Sequence, residues 1–536
     1  MKYYLLTKLL TFFSLMIMYA DDANRQSAQE PLELAVPFRD NAVLQRDKPV
    51  NVWGRAVPGD RIKVEFGGQE KFAVADEGGN WRLQLDAMSA NSTPGRLSAV
   101  SGTTGRKLEI GNVVVGDVWF CSGQSNMLWS LRNTTKGAEE MATADYPLVR
   151  GFLVRSAVAE EPRFGGVEGG WVLAQSNTAD ANSSPIRHFS GVAYHFAKEM
   201  FKQTGVPVGF IQPSHGGTMI EAWMSREALA SSPYHDNIQQ RWTKLENTIP
   251  SLVARYEEAL AEWEARQKEG GAATQKNTRA PQDPRGVSIF RHRPSSLFNA
   301  MTAPFMPYTI SGILWYQGES NAGRSVEYED LFPRMIKQYR EGFGQGDLPF
   351  YFVQIANFDR VRNDNGRSWA FLREAQASAV NLPATAMVVT IDIGEADDVH
   401  PRNKEEVGRR LSLHALHHLY GKEIVTNGPI FDSAMPRDGS LRISFRDSPE
   451  LDLRVEDAPK AFEVAGADGV FHPARAIKED KELVVSSDKV ASPAFVRYAW
   501  FNNPTAVLFG STGLPAAPFR SDQEPEPPAA MEGSSE

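Results

Sequence analysis

The sequence predicts an α/β protein, with a parallel sheet covered by helices on both faces and a β-rich region on either side of it. Three observations predict it. Between about residues 112 and 421, apolar strand candidates alternate with helical patterns. Before and after that stretch, short alternating runs are separated by clusters of turn residues. Polar or Gly-rich segments follow several of the central strands, which is where open α/β sheets place their sites.

The elements follow in order. Lys2 and Lys8 accompany an apolar core from Leu9 to Ala20 that is too short for a comfortable membrane span, so residues 1–20 read as an export signal. Met18 is larger than cleavage before Asp21 favours, and an uncleaved anchor is the alternative. Residues 31–111 read as a small β sandwich, with runs such as Ile62–Phe66 between turns at Pro58-Gly59-Asp60, Gly67-Gly68 and Glu77–Asn80. In the region 112–421, strands are expected at 113–121, 206–212, 310–316, 349–355 and 386–393. Helices are expected at 190–204, 326–342, 367–380 and 403–420. A helical insertion at about 224–296 interrupts the rhythm, its long helix opening at Asp236 and running through Leu252, Tyr256, Leu260 and Trp263. It either borders the mouth of a site or packs away from it. Residues 422–522 return to β with Leu441–Phe445 and Leu483–Ser486, and 523–536, rich in Pro, Glu, Ser and Ala, read as disordered.

Composition narrows the function. Hydrophobic residues at 42% and charged residues at 23% are those of a folded chain. A net charge of -9 with no basic run argues against a general nucleic-acid binder. No stretch after the signal approaches a membrane span, so an exported protein without stable membrane insertion is expected, periplasmic or extracellular. Cys121 is the single cysteine, so no intramolecular disulfide forms, and its place in an apolar run suggests a buried thiol.

Four segments carry chemistry. The run Gly116–Met127 takes an apolar strand into a tight turn holding Ser125, a hydroxyl placed above a sheet edge beside free backbone N–H groups. In Asp397-Asp398-Val399-His400-Pro401, His400 is a base suited to take the serine proton. Asp397, three residues earlier, has the spacing to orient the ring, with Asp398 as competitor. Pro213–Thr218 offers paired glycines whose N–H groups suit an oxyanion, and His215 there is the rival base. Trp315–Asn321 offers Gln317 or Asn321 as a side-chain donor, with Glu319 as an orienting carboxylate. Trp129 and Trp223 are candidate platforms for a sugar ring, and His292, beside Arg291 and Arg293, is a candidate contact for an acidic sugar. His414 and His418 have metal-ligand spacing but no third partner in sequence, so no metal is expected.

Together these segments resemble the SGNH-hydrolase superfamily, and within it the sialate O-acetylesterase-like carbohydrate esterases. Gly123–Asn126 is similar to the nucleophile block, Gly216–Thr218 with Ile220–Trp223 to the second, Trp315–Asn321 to the third and Asp397–Pro401 to the last, in the family's order. Phe38–Arg46, Val496–Trp500 and Gly513–Arg520 extend the resemblance from about residue 36 to 522, while Ala506–Gly510 departs from the family's Asn-Leu-Tyr-Asn-like element. The resemblance implies a flavodoxin-like three-layer αβα core. It also implies acyl transfer through Ser125, His400 and Asp397, with an oxyanion held by the Ser125 and Gly217 N–H groups and Gln317. An O-acetylated carbohydrate is the implied substrate, and no cofactor is required. A polysaccharide acetylesterase of acetylxylan type, an inactive glycan-binding protein and a serine lipase or peptidase are the competing readings.

Overall fold

Strand β1 (Lys107–Gly123), 17 residues long, joins the two halves of the chain's larger sheet. Its first part pairs antiparallel with Asn91–Ser101 and parallel with Val43–Gln45, and its second part enters the central sheet. The computed structural model describes residues 32–165, 167–176, 183–269, 280–361, 366–446, 450–458 and 460–523. The expected signal at 1–20 lies outside the described residues, as does the expected tail apart from Gln523.

The boundary expected at 111/112 therefore falls inside one strand. Phe38, Trp53 and Tyr308 pack edge to face across it, so the N-terminal β region shares a core with the central one. The second N-terminal sheet is Leu32–Leu34, Val50–Ala56 and Asn80–Leu85, all antiparallel.

The central strands are β2 (Asp145–Val154), β3 (Gly169–Gln175), β4 (Val208–Gln212), β5 (Gly312–Tyr316), β6 (Phe350–Val353) and β7 (Thr385–Val388). They lie in the order β3-β2-β4-β1-β5-β6-β7, parallel throughout except for the β3–β2 pair. Numbering β1, β4, β5, β6 and β7 as one to five gives 2-1-3-4-5, the flavodoxin-like order. The hairpin β2–β3 extends one edge of it. That hairpin was not among the expected strands, because its half-exposed residues lack the continuous apolar run of the buried ones.

Helices α1 (Gly191–Thr204), α2 (Ser325–Phe343), α3 (Ser368–Ala377) and α4 (Lys404–Tyr420) cover the sheet. Alternation along β1 sorts its side chains between them. Val118 and Phe120 join Leu331, Met335 and Leu372 of α2 and α3, while Trp119 and Cys121 join Val192, Phe196, Leu411 and Ala415 of α1 and α4. Cys121 is wholly buried, and burial pushes its thiol far up. Ser190 caps α1 and Asn403 caps α4, each side chain accepting a backbone N–H of the first turn.

The insertion is not one helix from Asp236. It forms Arg226–Ala230, His235–Glu246 and Ile249–Glu269, with a break at Asn247-Thr248. Pro250 explains the break: without an N–H it sits in the first turn of a new helix and cannot continue the old one.

The C-terminal region holds a seven-stranded antiparallel sheet and a two-stranded one around Leu441, Ile443, Val464 and Tyr498. It is tied to the central domain through α3. The buried Arg373 guanidinium donates to the carbonyls of Phe501 and Asn502 at 2.8 and 2.9 Å, and Arg367 pairs with Glu463 at 3.0 Å. Among the described residues no helix is long and apolar enough to cross a membrane.

Candidate active site

The end of β1 is forced into a close turn. Gly123 has φ +144, and a Cβ there would stand 2.1 Å from the Tyr316 carbonyl of β5, so only glycine fits. Gln124 continues the attachment: its N–H donates to Tyr316 O at 3.0 Å, and its Oε1 accepts from the Gly318 and Ser320 N–H groups at 3.4 Å. Ser125 follows, half-buried, at the start of the short helix Ser125–Leu128.

The glycine loop after β4 closes on the same turn. His215 N–H donates to Gly123 O at 3.1 Å, and a Cβ on Gly216 would lie 3.4 Å from Ser125 Cβ. Gly217 adopts φ +65. Among the described residues the N–H groups of Ser125, Gly216 and Gly217 have no protein acceptor, so they remain available to bind a ligand oxygen.

The His400 turn meets Ser125 from the other side. Asn126 Nδ2 donates to Val399 O at 2.9 Å, linking the residue after the serine to the residue before the histidine. Trp129 stacks on the His400 ring at 4.6 Å and 9°. Burial holds the imidazole below its ordinary value, against the opposing pull of Asp398, so it is neutral and able to accept a proton near neutrality.

Several expected residues stand elsewhere than expected. Asp397 is 80% exposed and paired with Arg360 at 3.1 Å. It is Asp398 whose carboxylate faces His400, accepting its backbone N–H at 2.8 Å and lying 3.6 Å from Nδ1. Neighbouring turn residues point in different directions, and spacing alone does not choose between them. Gln317 is wholly buried, and its amide N–H groups are both used, by Thr218 O at 3.1 Å and Asn321 Oδ1 at 2.7 Å, so none is left for an oxyanion. Asn321 is equally buried and linked to Ile220 N–H and Glu221, not turned to substrate.

Trp223 is wholly buried, donates to Thr218 Oγ1 at 2.9 Å and packs edge-on to Trp315, so it offers no platform for a sugar. Trp129 has one face covered by His400. His292 accepts from Arg291 Nε at 3.1 Å, and burial with Arg291 pushes it down to about 4. His215, the rival base, bonds Ser156 Oγ at 2.9 Å and is pushed down to about 4 by burial and Arg291, too weak a base for the task. His414 and His418 stack on one another beside Tyr351, His414 buried in the core and His418 exposed at its edge. Glu140, His195 and Glu405 bring ligand atoms within 4.8 Å of one another, but Lys198 and Lys136 already pair with the two carboxylates.

Two residues here had no assigned role in the sequence. Lys404 is wholly buried, with Nζ 2.5 Å from Asn126 Oδ1, and Asn126 Nδ2 in turn donates to Glu319 Oε1 at 2.5 Å. Glu319 thus faces this network, not substrate. One signal was present: a lysine at the first position of a helix opposes the helix dipole and needs another reason to be there.

A serine turn, a glycine loop and a histidine turn, joined at the centre of a parallel sheet, are the parts of an esterase, and the comparisons with known proteins agree. The chain belongs to the carbohydrate esterase, sialic acid-specific acetylesterase family, whose model matches residues 115–254 and 286–417. The interval it skips holds most of the insertion helix Ile249–Glu269. Sialate O-acetylesterase of Mus musculus is 28% identical over 524 residues, covering 90% of this chain and 93% of its own. That of Homo sapiens is 26% identical over 547 residues, covering 94% of each. The crystal structure of a carbohydrate acetylesterase from Xanthomonas citri superposes with a TM-score of 0.76 at 34% identity, covering 92% of this chain and all of that one. The chain is a sialate O-acetylesterase-like carbohydrate acetylesterase.

Proposed function

We propose that the chain is an exported SGNH-type esterase that removes acetyl groups from acidic sugars of the sialic acid class, with Ser125 as nucleophile and His400 as base. The observation that carries the reading is the joining of three distant segments at Ser125: Gly216 against its Cβ, Asn126 bonded to Val399, and Trp129 stacked on His400. In this mechanism Ser125 Oγ attacks the acetyl carbonyl carbon while its proton passes to His400. The N–H groups of Ser125 and Gly217 hold the oxyanion, with Gly216 beside them. The tetrahedral species collapses, the sugar oxygen leaves and takes the proton from His400. Water then attacks the acetyl-serine with His400 again as base, releasing acetate. Asp398 orients the imidazole through Nδ1.

Arg291 supports the acidic-sugar reading. Its Nη2 lies 3.8 Å from where a side chain on Gly217 would begin. Nearby Arg226, Arg241, Arg293 and Arg324 each pair with a carboxylate. Among the described residues Arg291 has no such partner, and a half-buried guanidinium fits a substrate carboxylate. Export rests on Lys2, Lys8 and the apolar run to Ala20.

The test compares acetate release from O-acetylated sialic acid, acetylated xylan and an aryl acetate. Ser125→Ala is expected to abolish all three together with fluorophosphonate labelling. Arg291→Leu is expected to raise KM for the sialate by about tenfold, and to leave the aryl acetate within about twofold. Preference for acetylated xylan with indifference to Arg291→Leu would establish the polysaccharide reading instead.

A further inference from the structure

Among the described residues Lys404 is a buried lysine with no direct ion pair. Its side chain is 0% exposed, its stem packs against α1 where Gly191 leaves room, and its ammonium lies 5.2 Å from the Tyr316 ring centroid. Among the described residues no carboxylate stands within ion-pair distance of it, and its side-chain partner is an amide oxygen, Asn126 Oδ1. Lys198, another buried lysine, pairs directly with Glu140. A buried charge is costly unless paired, so a lysine held by a neutral amide calls for a reason.

The reason lies in what that amide holds. Asn126 has a carbonyl oxygen and two N–H donors, and all are engaged: Oδ1 by Lys404, Nδ2 by Glu319 Oε1 and by Val399 O. The ammonium end fixes which way the amide faces, since an amide turned round would set N–H donors against an ammonium and an oxygen against a carboxylate and a carbonyl. With the amide so fixed, the residue after Ser125 is bonded to the residue before His400.

We propose that Lys404 is a positioning residue of the esterase: its ammonium, acting through Asn126, clamps the serine turn to the histidine loop. The inference rests on the reading of Ser125 and His400 as the reacting pair.

The charges that act on the ammonium are those of Glu319, Asp398 and Glu395, and it acts in turn on the His400 imidazole; the Asn126 amide and the Tyr316 ring stand beside it, and its stem lies against Gly191 of α1. Burial pushes Lys404 down to about 7 and Glu319 upward. The positive charge of Lys404 also disfavours the imidazolium of His400, adding to burial in keeping that ring a free base. Removing the charge therefore raises the His400 value, which moves the acid limb of kcat/KM to higher pH.

The test uses Lys404→Met, which keeps length and loses both charge and donor, and Lys404→Gln, which keeps a neutral donor. With an aryl acetate, Lys404→Met is expected to lower kcat about 10- to 100-fold with KM within about threefold, because the pair is misplaced while substrate contacts are untouched. Its acid limb is expected about half a pH unit higher. Lys404→Gln is expected to recover part of kcat and show the same displaced limb, separating donor from charge. Should the methionine variant not fold, the glutamine variant carries both readings.

A kcat within about twofold of the parent, or a loss that tracks thermal stability with an unmoved limb, overturns the proposal. Ser125→Ala and His400→Ala run alongside. If either retains turnover, the reading of the pair fails and the clamp with it. If both are inactive while Lys404→Met is normal, the clamp alone fails.

Discussion

The segment Trp315–Asn321 and the turn Asp397–Pro401 both close on Ser125, and they are built in opposite ways. In the first, Trp315, Gln317 and Asn321 are wholly buried, and the Gln317 and Asn321 amides are bonded to Thr218, Glu221 and one another. In the second, Asp398 is 47% and Asp397 80% exposed, and His400 is held by a stacked indole and one carboxylate. The first is a frame that fixes where the loops stand. On the proposed mechanism the second must stay open, because the ester of a bulky sugar has to reach His400 and Ser125 together. Breaking the frame should cost stability, and breaking the turn should cost turnover.

The frame gives the largest expected effect. Asn321→Leu leaves the Gln317 N–H, the Ile220 N–H and the Glu221 carboxylate without their buried partner. A loss of roughly 3–5 kcal/mol is expected, since among the described residues the Glu221 carboxylate then retains Arg241 alone, at 3.5 Å. Urea unfolding of variant and parent measures it. An unchanged midpoint would mean that this network is not structural.

The open turn comes next, and it decides between two neighbouring carboxylates. Asp398→Asn is expected to lower kcat by about 10- to 100-fold with unfolding unchanged, because the imidazole loses its orientation together with the carboxylate that holds its basicity up. Asp397→Asn removes only an exposed contact with Arg360 and is expected within about twofold of the parent. The reverse ranking would restore Asp397 as the orienting residue.

The contrast also explains what was legible beforehand. Buried parallel strands announce themselves as continuous apolar runs, so β4, β5 and β6 and helices α1 to α4 fall within a few residues of the expected spans, while β1 begins at Lys107 and not at 113, and β7 ends at Val388 and not at 393. The β2–β3 hairpin, half-exposed and mixed in composition, is not among those spans. The four segments are legible as chemistry only together and in order, because Ser, Gly-Gly and carboxylates are each ordinary turn and cap residues when taken singly. Which way each side chain points is not legible. Glu319–Asn321 is a 3-10 turn and Asp397–His400 a loop, and neither has the periodicity that sorts residues into inside and outside. The sequence therefore points Trp223 and Gln317 towards substrate where the structure turns them to the core, and gives no sign that Lys404, ordinarily a surface residue type, is buried.

The smallest effect separates the two kinds of histidine. His400 sits in the open turn, whereas His414, 1% exposed on α4, belongs to the core, where burial and then His418 push it down to about 3 from an unfolded 6.5. Below 6.5 the unfolded chain binds a proton at this position that the folded chain refuses. Stability therefore falls as pH drops from about 6.5 towards 3, by roughly 2 kcal/mol at about pH 5 from this one residue. His414→Leu removes the term and is expected to flatten the loss over that window, leaving the acid limb of kcat/KM where His400 sets it. Urea midpoints and kcat/KM measured between about pH 5 and 7 read the two separately. If His414→Leu moved the activity limb, the core and the turn would be electrostatically joined, and the division between frame and reacting loop would have to be redrawn through α4.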